Sequence, residues 1–291
     1  MAGDVRIGTS GWVYPPWRGQ FYPKGLAQRR ELEYLSRQVS SVEINGSFYA
    51  LQRPESFQRW REETPADFVF SVKGGRFITH MKRLRDVEVP LANFFASGVL
   101  ALGPKLGPIL WQLPENFKYE PDVIAAFIDQ LPRTTEEAAA TARNRDARMD
   151  GREWTIVDQD RPIRHAMEVR NPAFAVGEFV ELLREKGVAL VVADTAGKWP
   201  YLEDVTADFV YIRLHGDKEL YASGYTDIAL DTWAQKVRTW RDGKNVRSNH
   251  TVASPAPHRP PGRDVHVYFD NDLKVRAPID ARGLISRITG T

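Results

Sequence analysis

The chain has 291 residues, 42% hydrophobic and 27% charged, an ordinary globular composition that suits one α/β barrel without a second domain. Its formal charge of +2 is too small to imply a nucleic-acid or anionic-membrane partner, and the lack of cysteine excludes disulfides, thiolate ligands and a cysteine nucleophile. No apolar run approaches the roughly 20 residues of a membrane span. The first strand pattern leaves no room for a signal peptide, so a cytoplasmic location is expected.

In chain order, a short apolar run at 5–10 ends on polar residues and leads into an aromatic, glycine-rich stretch at 11–23. A helical pattern over 26–38 carries Leu32 and Leu35 inward. A second strand is expected at 41–46, then a helix with Pro54 in its first turn. The third strand, 68–73, runs into Gly74 to His80, and the fourth covers 108–113. An amphipathic helix follows over 122–131. After an Ala- and charge-rich connection at 133–164 come a fifth strand at 165–170, a helix at 176–186 stopped by Gly187, and a sixth strand at 189–194. The seventh strand, 209–215, opens on a loop reaching Tyr225. Asp231 is expected to cap a helix at 232–241, and a Pro-, Ser- and Arg-rich connection spans 244–264. The eighth strand is read at 265–270 and a last helix at 281–288, capped by Asp280.

Eight strand runs alternating with helical patterns predict a single closed (β/α)8 TIM barrel over 1–291. The 133–164 and 244–264 connections both run from helix to strand. They are expected on the N-terminal face, away from the site, as surface decoration or a partner contact.

Side chains alternate along a strand, so Glu43 and Asn45 share a face, as do Glu168 and Arg170, and Arg213 and His215. With Lys73, Gln112, Asp194 and Asp270 at other strand ends, this parity lines the barrel mouth with charge. Charge in a barrel interior costs several kcal/mol per ion unless paired, which favours a functional site over a purely structural network. Trp12, Tyr14 and Trp17 in the first loop either cap the barrel or stack on a ligand.

Taken together, these residues resemble the YecE-like family of barrels. The carriers are Gly8-Thr9-Ser10-Gly11-Trp12 with Tyr14, Trp17 and Phe21-Tyr22-Pro23, then Val42-Glu43-Ile44-Asn45 with Phe48-Tyr49. Phe70-Ser71-Val72-Lys73 with Ile78-Thr79-His80, and Gln112-Leu113-Pro114, continue the set. Glu168-Val169-Arg170, Tyr211-Ile212-Arg213-Leu214-His215-Gly216 and Tyr268-Phe269-Asp270-Asn271-Asp272 complete it. Gly46, Asn171, Phe174 and Asp270 depart from the family's usual pattern, Asp270 standing where asparagine is common. The resemblance implies a barrel and supplies no reaction.

The chemistry of the residues favours an enzyme of hydrolase, lyase or isomerase type acting on a small anionic, phosphorylated or sugar-like substrate. Glu43, Glu168, His215, Lys73 and Asp194 are the catalytic candidates, with a glutamate or His215 moving a proton and Lys73 open to Schiff-base chemistry. Arg170, Arg213 and His80 would hold the anion, with Trp12, Tyr14, Trp17, Asn45, Tyr49, Gln112, Tyr221, Tyr225, Asp270 and Asn271 completing the pocket. A divalent-metal phosphodiesterase is the alternative, using Glu43, Glu168, Asp194, His215 and Asp270 as ligands, although three cations would crowd the metal. No cofactor is obligatory from the sequence. A glycosidase is disfavoured because the fourth and seventh strands end on Gln112 and on Arg213 with His215. A non-catalytic barrel is a further alternative. A nucleic-acid-binding version of it would use Arg18, Lys24, Arg76, Lys82, Arg83, Lys198 and Lys218 as a basic rim, and is not favoured.

Overall fold

The structure, a computed structural model, describes residues 2–290. Eight parallel strands close into a barrel in sequence order: β1 (Val5–Ser10), β2 (Ser41–Ile44), β3 (Val69–Lys73), β4 (Leu106–Gln112), β5 (His165–Glu168), β6 (Ala189–Asp194), β7 (Phe209–Leu214) and β8 (Asp264–Phe269). Closure comes from β1 pairing with β8, with Val5 opposite Val265 and Thr9 opposite Phe269. The TIM barrel expected from the alternating runs is therefore the fold. Two strands end two residues earlier than the patterns suggested. Asn45 already has helical dihedrals and enters a one-turn helix, α2 (Gly46–Tyr49), after α1 (Glu31–Leu35), so β2 stops at Ile44. β5 stops at Glu168.

Alternation divides the apolar residues between two cores. Leu110, Ala166, Ala189, Val191, Ala193, Phe209, Tyr211 and Tyr268 fill the barrel interior. The opposite parity, such as Val42, Ile44, Val72, Leu190, Val192 and Ile212, packs outward against the helices.

The helices are α3 (Pro54–Glu63), α4 (Glu88–Ala96), α5 (Pro121–Asp129), α6 (Thr135–Arg143), α7 (Gly177–Lys186), α8 (Asp227–Arg241) and α9 (Arg276–Thr289). Pro54 occupies the first turn of α3, and Gly187 ends α7 in the left-handed region at φ 64°. The pattern over 26–38 resolves into a 3-10 turn and only five residues of α-helix. Two expected caps are corrected. Helix α8 begins at Asp227, where the Thr226 side chain accepts from Ala229 N, so Asp231 lies inside it. Helix α9 begins at Arg276, and Asp280 within it is buried, accepting from Tyr225 N at 3.0 Å and Asn271 Nδ2 at 2.8 Å.

The sixth unit has no helix between β6 and β7; residues 195–208 run without regular structure. The 244–264 connection packs there instead. His250 O accepts from Glu203 N at 2.7 Å, and Asp204 accepts from Val252 N and Ala253 N at 3.0 and 3.1 Å. Val246, Val252, Ala253 and Ala256 pack against the outer core. The 133–164 connection contains α6, packed on α4, and its Trp154 N donates to Ala96 O at 2.8 Å.

Barrel closure leaves no room at Gly8, where an added Cβ would lie 1.7 Å from Ser41 O across the β1–β2 pair. Gly8→Ala should cost about 1–3 kcal/mol through overpacking, read as a lowered urea midpoint with an unchanged slope. An unchanged midpoint would show that β1 and β2 do not approach this closely.

Candidate active site at the barrel mouth

At the C-terminal end of the barrel one guanidinium gathers three carboxylates. Arg213, on β7, is fully buried. It donates from Nε to Glu43 Oε2 at 3.1 Å, from Nη2 to Glu43 Oε1 at 2.9 Å, from Nη1 to Glu168 Oε2 at 2.6 Å and from Nη2 to Asp270 Oδ2 at 2.7 Å. Strand parity places all four inward from β2, β5, β7 and the end of β8. Glu43 also accepts from Ser10 Oγ at 2.6 Å and Tyr211 Oη at 2.7 Å, so both its oxygens are engaged. Beneath them Tyr211 meets Ser71 and Tyr268 meets Ser41 through their hydroxyls at 2.6 and 2.8 Å, satisfying the polar layer above the apolar interior. Burial opposes ionisation of Glu168, but Arg213 and Arg170 outweigh it and hold the carboxyl well below the usual carboxylate range. Asp270 is likewise pulled down to about 2, burial being overcome by Arg213 and His215.

Two further cations border this hub. Arg170 donates from Nε to Glu168 Oε1 at 2.8 Å, and its guanidinium lies 3.7 Å from the ring centroid of Trp199. Lys73 has no carboxylate within ion-pair distance among the described residues. Its Nζ lies 4.3 Å from the Phe48 ring centroid. Burial, then Arg213, lowers its pKa to about 8 despite the opposing carboxylates. His80 is lowered to about 4 by burial, Lys73 and Arg170, and is neutral at pH 7. It sits between Thr79 Oγ1 at 2.8 Å and Gln112 Nε2 at 3.5 Å. His215 is buried, 3.4 Å from Arg213 Nη1; its Nδ1 lies 3.1 Å from Asp270 Oδ2, outside hydrogen-bond geometry. Tyr221 packs edge-on against His215, with ring centroids 5.3 Å apart. Asn45 Oδ1 is buried without a partner.

The structure thus brings together Glu43, Glu168, Asp270, Arg213, Arg170, Lys73, His80, Gln112, His215 and Tyr221. Other candidates stand apart. Asp194 has the outward parity of Leu190 and Val192, and it accepts from Tyr225 Oη at 3.0 Å under the β7–α8 loop. Asn271 is buried, donating to Ser223 O and Asp280. Trp17 is fully buried among Tyr14, Phe21 and Tyr22, and Trp12 packs edge-on against Trp60, so these rings cap the barrel. Tyr14 closes back on its own strand by donating to Ser10 O. Tyr49 is 71% exposed on α2.

Sequence reasoning missed Ser10, Trp199 and Asp272. Ser10 ends β1 with inward parity, a readable signal. Trp199 lies in an irregular connection with no pattern to place it. Asp272 shares the parity of Asp270 and stands among the family carriers, but its place beside the hub, where burial and the charge of Asp270 raise it to about 6, was not assigned.

The acidic set also bears on metal binding. Among the described residues no three His, Asp or Glu side chains converge as ligands. The carboxylates of Glu43, Glu168 and Asp270 meet at the Arg213 guanidinium, which occupies their common centre.

Arg213→Met should lose about 3–5 kcal/mol at neutral pH, because it strands buried carboxylates, and part should return on acidification. Equal destabilisation at all pH values would mean packing, not charge, is lost. Asp270 ionises at about 2 when folded and at about 3.9 when unfolded. Its stabilisation is complete above the unfolded value and is lost as pH falls through the folded one. Asp270→Asn should therefore flatten the acid limb of the stability profile; an identical limb would remove Asp270 from the charged hub.

The sequence matches the family described as Protein of unknown function DUF72 over residues 6–290. It is 34% identical to UPF0759 protein YecE of Escherichia coli (strain K12) over 129 residues, 44% of each chain. It is 30% identical to UPF0759 protein YunF of Bacillus subtilis (strain 168) over 129 residues, 42% of this chain and 44% of that one. The matched region thus spans less than half the length of these curated relatives. Among solved structures, a DUF72 family protein from Thermotoga maritima superposes with TM-score 0.72 at 24% identity, covering 98% of this chain and 99% of that one. Another from Enterococcus faecalis gives 0.69 at 15%, covering 98% and 95%. At these identities the structural likeness concerns the fold. With the family model matched from the first strand through the last helix, the chain belongs to the DUF72 family.

Proposed function

We propose that this protein is an enzyme of hydrolase, lyase or isomerase type that takes a small anionic, phosphorylated or sugar-like substrate at the barrel mouth without a divalent metal. The observation that carries the reading is a pair of cations that keep unspent donors beside a hub of three carboxylates gathered on one guanidinium. Glu43, Glu168 and Asp270 are held by Arg213, while Lys73 has no carboxylate partner among the described residues and Arg170 spends only Nε on Glu168. Unspent donors on a largely buried ammonium and a stacked guanidinium favour a phosphate or carboxylate. Lys73, with its pKa lowered to about 8, exchanges a proton near neutrality and is the group suited to general acid–base work. Glu43, with both oxygens engaged, serves as the anchor of Arg213. Glu168 orients Arg170, and His215 and Tyr221 border the reacting space.

The metal-dependent phosphodiesterase reading needs carboxylates free to turn toward a cation, and Arg213 already holds them. A nucleic-acid rim is weakened by local pairing: Arg18 is bonded to Glu31, Lys82 lies near Asp86 and Arg83 is bonded to Asn116.

A calorimetric panel of sugar phosphates tests the reading. A ligand is expected that Lys73→Met releases and that Arg170→Ala weakens by about tenfold, the scale of one charge-assisted contact. Affinity should hold below the lowered pKa of Lys73 and fall as pH rises through it, because the ammonium loses its charge. Binding that ignores pH and both substitutions would place the ligand elsewhere.

A further inference from the structure

Beside the mouth lies a cavity of about 560 Å³ between the segments that follow β2 and β3, α4 and the 133–164 connection. That volume suits a drug-sized or nucleotide-sized ligand. Its wall is aromatic and apolar: Phe48, Tyr49, Phe77 and Phe94 line it, with Tyr49, Phe77 and Met81 exposed by 71%, 43% and 62%. Its charge has one sign. Arg76, Arg148 and Arg152 line it and no Asp or Glu does. Arg148 is spent on Asp146 at 2.6 Å. Arg76 and Arg152 have no carboxylate partner within ion-pair distance among the described residues, and Arg152 is held in place by its Nε bond to Arg148 O at 3.0 Å.

The segment forming one wall is conformationally costly. Phe77–Met81 is a π-helical turn, and Arg83, Leu84 and Asp86 just after it have φ of 52°, 66° and 49°. Backbone of this kind gathers at ligand clamps. Phe48 joins the two sites, because its ring meets His80 and Lys73 of the mouth and also lines the cavity.

We propose that this cavity is a binding site for an aromatic anion of mononucleotide type. The ring packs against Tyr49 and Phe77, and the phosphate is held by Arg76 and Arg152. Flat rings stack on any base, and guanidinium groups match phosphate geometry. The site stands independently of the reaction proposed for the mouth.

Adenosine monophosphate, adenosine, ribose 5-phosphate and a six-residue oligodeoxynucleotide are titrated calorimetrically into the full chain. The mononucleotide is expected to bind more tightly than adenosine or ribose 5-phosphate. Arg76→Ala, Arg152→Ala and Phe77→Ala should each weaken it by about tenfold, the scale of one charged contact or one stacked ring. Thermal unfolding of each variant should match the parent, since all three side chains lie at the surface of the cavity. Arg170→Ala should leave the affinity unchanged. No binding of adenosine monophosphate, equal binding of ribose 5-phosphate that Arg170→Ala does not weaken, or loss of adenosine monophosphate binding in Arg170→Ala would overturn the site. Tighter binding of the oligonucleotide would overturn the mononucleotide as its ligand.

Discussion

The architecture of the mouth depends on Arg213. A guanidinium inside a barrel is tolerable only if carboxylates surround it, and carboxylates there are tolerable only with a cation at hand. Glu43, Glu168 and Asp270 come from three different strands, so Arg213 ties β2, β5, β7 and β8 together through charge as well as backbone pairing. Its five donors in one plane match this arrangement in a way that a lysine could not. The Arg213 pKa is held well above the ordinary value because those carboxylates outweigh the cost of burial.

Arg213 alone leaves the three carboxylates two charges short of balance, and Arg170 and Lys73 supply the difference. Glu43, Glu168 and Asp270 against Arg213, Arg170 and Lys73 leave the mouth close to charge balance, yet the balance is spatially uneven. Carboxylates face the barrel axis and are occupied, whereas Lys73 and the outer nitrogens of Arg170 are not. That unevenness is what supports the anionic substrate proposed for the pocket. The aromatic cap formed by Tyr14, Trp17 and Tyr22 holds the first loop over the barrel, with Tyr22 Oη donating to Trp12 O at 2.7 Å. The loop is thereby preorganised rather than dependent on a ligand for its shape.

Much of this was legible in the sequence, because a parallel barrel writes its register in period two. The eight strands, and the inward set of Glu43, Lys73, Gln112, Glu168, Arg213 and Asp270, follow from parity alone. Asp194 was misplaced because it was taken as a polar strand end and not by parity, which puts the last residue of β6 on the outward face of Val192. The aromatic residues stayed ambiguous for a related reason: Trp17 and Tyr14 near a mouth read either as a barrel cap or as ligand platforms, and only the packing of Trp17 among Tyr14, Phe21 and Tyr22 shows the cap. Asp231 and Asp280 resembled caps because helix starts are encoded locally, while the true starts at Asp227 and Arg276 are fixed by loops folding back from β7 and β8. The side cavity was invisible, because it joins four segments of the chain, the outermost about 100 residues apart.

The helix-free sixth unit alters the order in which the molecule can be completed. Its outer wall is built by residues 246–256, which lie beyond β7 and α8 in the chain. During synthesis from the N-terminus, the wall at this helix-free unit stays incomplete until the later connection has emerged and bonded to Glu203 and Asp204. Five units can be sheathed as they are made. The sixth is completed only by a segment made after β7 and α8, with the 244–264 connection acting as its clasp.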